Sequence, residues 1–196
     1  MARRAVKASK GADRRVQRTH RMLSEALIEL VLERGWDSVS VQDVCERADV
    51  GRSTFYTHFA DKEDLLVGGL HALGRFLRAQ SAGNDRPLAF ARGLIEHVDE
   101  QRRLAKAMVG KRSGQVMQLR FRQLLIDLVR EDLEALTPSS PRLDATVHYV
   151  AGALFELLIW WLEARTQLEA ADLEEHFNEL TTPLLTLLKK AKSRGG

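Results

Sequence analysis

The sequence predicts an all-α protein, and three observations carry that expectation. Apolar residues recur three and four positions apart through most of the 196 residues, and no stretch alternates with the period of two that a half-buried strand requires. The interruptions are helix punctuation: Gly35 closes one run of helical spacing, and the stretches Ser81-Ala-Gly-Asn-Asp-Arg-Pro87 and Thr137-Pro-Ser-Ser-Pro141 read as loops. Between residues 40 and 59, two short helical patterns follow one another with no more than a tight turn between them, the arrangement of a helix-turn-helix.

Taken in order, residues 1–13 show no periodicity and are rich in Arg, Lys and Ala, which predicts a basic, disordered arm. Met1 to Arg21 holds Arg3, Arg4, Lys7, Lys10, Arg14, Arg15, Arg18 and Arg21 against Asp13 alone, a local charge of +7 (8 − 1) in a chain of net charge +3, so the remainder sums to −4. Such a distribution points to an anionic partner approached from one end, not to a polycation. From about Arg14 a helix carries Met22, Leu23, Ala26, Leu27, Leu30 and Val31 on one stripe and stops at Gly35, and Trp36 follows where it could cover a small core.

Ser40 and Asp43 have the spacing of a capping box, so a helix is expected from Ser40 through Ala48 with Val41, Val44, Cys45 and Ala48 on one face. Asp49-Val50-Gly51 breaks the pattern, and Gly51 is the residue that could take the left-handed or close-packed conformation of the turn. The next helix, Arg52 to about Phe59, is unusual for what it leaves outside. If Phe55 and Phe59 face the core, then Arg52, Ser53, Thr54, Tyr56, Thr57 and His58 lie on or near the exposed face. Hydroxyls, a guanidinium, a phenol and an imidazole suit base edges and phosphates in a major groove, although a mixed surface helix could look the same.

The run from Val39 through Gly51-Arg-Ser-Thr-Phe-Tyr-Thr-His-Phe-Ala-Asp-Lys-Glu-Asp-Leu-Leu66 resembles the DNA-binding domain of the TetR/AcrR family of bacterial transcriptional regulators. With the preceding amphipathic helix the resemblance covers about residues 14–66. Its most specific part is Thr54-Phe55-Tyr56-x-His58-Phe59-x-x-Lys62. The resemblance implies an N-terminal three-helix helix-turn-helix domain, residues 14–62, and a larger C-terminal helical bundle, residues 63–196, for ligand and dimerisation. It matches Arg52, Ser53, Thr54, Tyr56, Thr57 and His58 to positions that contact DNA and Lys62 to a backbone-contact position. Gln42 lies at the start of the supporting helix.

Beyond Lys62, Leu65, Leu66, Leu70, Leu73, Phe76 and Leu77 mark a long helix, which the resemblance makes the connection between the two domains. Helical patterns resume over Leu88–Glu100 and Arg102–Val109, pause at Gly110-Lys-Arg-Ser-Gly114, and run again from about Gln115 to Leu136. From about Leu143 to Arg165 the sequence is apolar nearly all round and must be covered on more than one side. A last helix carries Leu173, Phe177, Leu180, Leu184 and Leu187, with Pro183 expected to kink it.

With 44% hydrophobic and 29% charged residues, the composition is that of a folded chain. Cys45 alone excludes a disulfide framework or a cysteine zinc site, and fits a reducing cytoplasm. The basic N-terminus lacks the apolar stretch of a secretory signal, and the longest apolar run, Val147 to Leu162, is short of a membrane span and reads as a buried helix. Gly110-Lys-Arg-Ser113 fails as a phosphate loop, with Ala105 in place of glycine and Arg between Lys and Ser. His20, His58, His71, His97, His148 and His176 show no metal-ligand spacing, and no nucleophile elbow occurs. No cofactor, metal or catalytic residue is expected, so the chain reads as a non-enzyme.

These readings combine into a cytoplasmic, homodimeric regulator of transcription that binds a double-stranded DNA operator. It is expected to be a repressor of palindromic sites, released by an apolar small molecule. The alternative is a DNA binder of the same kind with no small-molecule effector, acting through assembly or protein partners. Phe90, Leu94, Met108, Met117, Phe121, Leu125 and Phe155 are expected to line the effector pocket, with His97 and His148 as polar anchors, although each could equally be packed core. Trp160, Trp161, Phe177, Leu180, Leu184 and Leu187 are expected at or beneath the dimer interface.

Overall fold

The computed structural model describes residues 2–84, 86–109, 115–164 and 167–194, with side chains over 15–84, 86–108, 115–164 and 167–188. The pause expected at 110–114 and the basic side chains of the first 14 residues lie outside this. Among the described residues every regular element is a helix: α1 (Ala2–Arg34), a 3-10 turn (Trp36–Ser38), α2 (Val41–Ala48), α3 (Arg52–His58), α4 (Lys62–Ser81), α5 (Phe90–Glu100), α6 (Arg102–Val109), α7 (Gln115–Glu134), α8 (Pro141–Glu163) and α9 (Ala170–Arg194). The chain divides into two compact units, Met1–Gly69 and Leu70–Gly196, so the division falls within α4 and not at its start.

The smaller unit is built on α1, whose Leu23, Ala26, Leu27, Leu30 and Val31 meet Val44, Cys45 and Ala48 of α2, with Trp36, Val39, Phe55, Phe59, Leu65 and Leu66 closing the core. One expectation is corrected here. The backbone of the basic N-terminal segment is helical from Ala2, not an irregular arm. Ala, Arg and Lys are strong helix formers, and a stretch without an apolar stripe can still extend a helix already nucleated beside it.

The larger unit has α7 and α8 packed along one another, with α5 against α9 and α6 against both α7 and α8. A single apolar cluster fills it, including Leu94, Leu125, Val129, Leu133, Leu154, Leu158, Trp161 and Phe177. The break at 137–141 ends α7, but Pro141 itself opens α8: Ser140 is the N-cap, accepting from the Leu143 amide at 3.2 Å, and proline at the first turn gives up an amide that has no helical partner. The helix α9 continues through Pro183. By length and composition alone α8 could cross a membrane, yet over half of its most apolar window is buried in the fold. Leu88 takes the left-handed conformation (φ 63°), where its amide donates to the Asp132 carboxylate at 2.6 Å.

Candidate nucleic-acid interface

The turn between α2 and α3 fixes which side chains α3 presents. Ser40 caps α2 in a complete capping box, its hydroxyl accepting from the Asp43 amide while the Asp43 carboxylate accepts from the Ser40 amide at 2.8 Å. The Ser40 hydroxyl, which donates to that carboxylate at 2.5 Å, and then the Ser40 amide hold the Asp43 carboxyl down at about 2, with Arg34 adding to them. Arg47 ties α2 to α1 through Glu33 at 2.8 Å and Glu29 at 3.1 Å. The left-handed residue of the turn is Asp49 (φ 52°), whose amide closes the C-terminus of α2, whereas Gly51 is extended (φ −62°, ψ 141°) and a β-carbon there would meet nothing closer than 3.8 Å. Asp tolerates the left-handed region better than most residues, so the glycine expected to make the bend is not the residue that makes it.

From this turn α3 leaves at once with Phe55 fully buried and Phe59 at its C-cap nearly so. The other positions follow from geometry: Arg52, Ser53, Thr54, Tyr56 and Thr57 are exposed, Tyr56 by half of its surface. Tyr56 packs edge-on to Phe55 at 5.4 Å and has the Arg52 guanidinium 6.0 Å from its ring centre, so the phenol and the cation stand together one turn apart on the helix. Thr57 turns its hydroxyl back to the Ser53 carbonyl at 2.8 Å. Gln42 is exposed but its carboxamide donates to Glu46 at 2.8 Å. Gln42, Cys45, Glu46, Asp49, Val50, Gly51 and Arg52 line a shallow groove of about 410 Å³ beside the turn. Burial pushes the Cys45 thiol up, which makes it an inert core group.

Two positions matched to DNA contacts are placed differently from the rest. His58 is half-buried and packs against His20 of α1, ring centroids 4.9 Å apart, and against Phe59. Lys62 is turned inward: its ammonium donates to the Trp36 carbonyl at 2.8 Å and the Val39 carbonyl at 2.6 Å, 4.6 Å from the centre of the Trp36 ring. Desolvation lowers its pKa. Its side chain fastens the 3-10 turn. Nothing in the spacing of Lys62 announced that role, because its partners lie 23 and 26 residues earlier. His20 is a residue the sequence did not single out, and its pairing with α3 could not be seen in linear spacing.

In the larger unit, Phe90, Leu94, Met117, Phe121, Leu125 and Phe155 are all buried, with Phe121 and Phe155 rings 6.2 Å apart, and Met108 and His97 are half-buried. His148, expected as a second anchor, is exposed on α8 and does not join them, whereas Val147, Val150 and Ala151 on the same helix are buried. The aromatic pair near the end of α8 splits. Trp161 is core, 1% exposed, its indole donating to the Leu168 carbonyl at 2.8 Å with the Arg102 guanidinium 4.4 Å over the ring. Trp160 is 50% exposed. On α9 Phe177 is likewise core and Leu184 half-buried, whereas Leu180 and Leu187 are more than half exposed.

Comparison with known proteins agrees with this geometry. Residues 23–68 match the family of bacterial regulatory proteins, tetR family, and residues 85–183 match a transcriptional regulator C-terminal region. The HTH-type transcriptional regulator TcmR of Streptomyces glaucescens is 25% identical over 180 residues, 80% of this chain and 79% of that protein. The HTH-type transcriptional regulator YxbF of Bacillus subtilis is 36% identical over 58 residues, so the chain covers only 15% of its length. Among solved structures, a TetR transcriptional regulator of Streptococcus agalactiae superposes with a TM-score of 0.65 at 26% identity, covering 92% of this chain and 98% of that one. FadR of Thermus thermophilus, a repressor solved with lauroyl-CoA, shares the fold at a TM-score of 0.57 and 21% identity over 83% of this chain and 93% of its own. An exposed polar helix set on a three-helix core, with the second match spanning more than half of the chain, leaves one assignment: this chain belongs to the tetR family of transcriptional regulators.

Proposed function

We propose that this regulator is a homodimeric repressor that reads a palindromic operator with α3 and is released when an apolar small molecule occupies the larger unit. The observation that carries the DNA half is the exposed face of α3, where Arg52, Ser53, Thr54 and Tyr56 stand clear of a core anchored by Phe55. A side chain that is exposed and not spent on an internal bond is free to meet base edges, and paired half-sites related by a two-fold axis multiply the selectivity of so short a helix. The dimer reading is supported by an apolar face that the single chain leaves open: Tyr149 and Trp160 on α8, and Leu180 and Leu187 on α9. Helix pairs about a two-fold axis cover such faces. The cytoplasm, where bacterial DNA resides, is the compartment this activity requires.

For the effector, the apolar cluster of Phe90, Leu94, Met117, Phe121, Leu125 and Phe155 supplies a lining, with Met108 and His97 at its half-buried margin. FadR of Thermus thermophilus, which shares the fold, was solved in complex with lauroyl-CoA, a ligand with an apolar acyl chain, and this supports the reading. Because these side chains are packed, a ligand must displace them and must bind the DNA-free form more tightly than the DNA-bound one. That same packing favours a second reading, a regulator with no small-molecule effector that acts through assembly or protein partners.

One set of measurements separates these. Duplexes retained from a randomised pool by the purified protein are expected to be palindromes, and acyl and aromatic compounds titrated against that complex are expected to release it. Release by none, with tight binding intact, leaves the second reading. Sedimentation at micromolar concentration is expected to give a dimer for the native chain and a monomer for Trp160→Glu combined with Leu180→Glu. A native monomer that binds DNA tightly would overturn the dimer.

A further inference from the structure

Two imidazoles from separate helices of the smaller unit meet behind the reading helix. His20 of α1 lies 4.9 Å from His58 in an edge-on arrangement and 4.6 Å from Phe59, which itself packs 5.7 Å from Phe55. The Nε2 atom of His20 is buried and has no hydrogen-bond partner. An orphaned buried nitrogen is unfavourable, and adding a proton makes it worse, because a second N–H would also need an acceptor.

None is at hand. The α1 residues on the same face, three and four positions away, are Val16, Gln17, Leu23 and Ser24, none of them charged. From α3 the facing groups are His58 and Phe59. The first turn of α4 carries Lys62, whose ammonium is held by the Trp36 and Val39 carbonyls, Glu63, and Asp64, whose carboxylate accepts from the Ala60 amide at 3.0 Å; His71 follows later on that helix. Burial first, and then the neighbouring His58, lower the pKa of His20.

We propose that His20 is a positioning residue for α3, packing its ring against the last turn with a buried nitrogen that has no acceptor for an added proton, so that acidification loosens the helix and weakens DNA binding. This rests on α3 being the DNA-reading helix. The sign follows from linkage. A histidine whose folded pKa lies below its unfolded value binds more protons unfolded, so the stability it contributes is present above the unfolded value and is lost as pH falls toward the folded one. Other imidazoles that face DNA gain attraction for phosphate on protonation, so the diagnostic is the difference between native protein and a variant altered at His20 alone.

The test uses the full chain and a palindromic duplex selected from a randomised pool. From about pH 7.5 to about pH 5.5 the affinity of native protein is expected to fall roughly threefold to tenfold relative to His20→Phe, which keeps a ring against His58 and Phe59 but has no nitrogen to protonate. The unfolding midpoint of native protein is expected to drop over the same range more than that of His20→Phe. His20→Leu serves as a second, aliphatic control should the larger ring not fit. In the native chain the His20 imidazole, followed by NMR, is expected to titrate below an ordinary histidine and to move upward in His58→Gln. Parallel pH profiles in all three proteins, or an ordinary His20 titration, would overturn the proposal. If no duplex is retained at any pH the DNA reading fails, while the unfolding midpoints and the NMR titration still decide the role of His20.

Discussion

In the smaller unit, a seven-residue helix gives Phe55 to the core, hands Phe59 to it at the cap, and leaves five of its polar side chains in solvent. In the larger unit, α8 buries eleven of its 23 residues, and the side chains expected to receive a ligand are the same ones that hold the unit together. A short helix anchored at two points can present function on every side it does not bury, so its exposed face and its anchor are different residues. On α8 the exposed Tyr149 and Trp160 are set apart from the core, but the buried positions have no such division. There a residue type says that a position is inside, but not whether it is packing or lining.

The sharpest way to break that contrast is to remove an anchor. Phe55→Ala and Trp161→Ala, each emptying a fully enclosed aromatic site, are each expected to cost about 3–5 kcal/mol. Phe55→Ala should abolish DNA binding while most helicity by circular dichroism survives, and Trp161→Ala should lower helicity far more. Equal losses of helicity would mean that the two units do not unfold separately.

Next in size is Lys62. With two charge-assisted bonds to main-chain carbonyls, Lys62→Met is expected to destabilise by about 2 kcal/mol and to weaken binding to every duplex through the fold. Chemical denaturation checks it: an unchanged midpoint with weakened binding would return the ammonium to the DNA. Arg52→Ala is the contrasting substitution at an exposed position, with stability expected to move by less than about 0.5 kcal/mol while the preferred bases change. Selection from random duplexes reads that change directly.

Smaller still is the cap. Ser40→Ala is expected to cost about 1 kcal/mol. The capping box also has a pH signature. Asp43 is held at about 2 against an ordinary 3.8, so what it contributes is present above the ordinary value and is lost as pH falls through that window. Acid unfolding of Asp43→Asn should be flatter there than that of the native chain, and superimposable curves would show that the box is dispensable.

Much of this was legible in the chain itself. The periodicity of three and four, the Ser40–Asp43 spacing and the Phe55–Phe59 pair determined an all-α protein, the entry to α2 and the outward face of α3, because each is a local property in which residues a few positions apart share a helix side. The spread of apolar positions along α8 announced that it would be covered. Three-dimensional packing decided the rest. Which of the adjacent Trp160 and Trp161 would be core depended on where Arg102 and the Leu168 carbonyl came to lie. Asp49, not Gly51, took the left-handed turn, and Pro141, read as the end of a loop, began a helix. Lys62 found its partners on a turn more than twenty residues away, and His20 met His58 across two helices. Contacts of that range are set by how helices pack, and a linear pattern, which records only what one helix turns to one side, carries no trace of the neighbour it will meet.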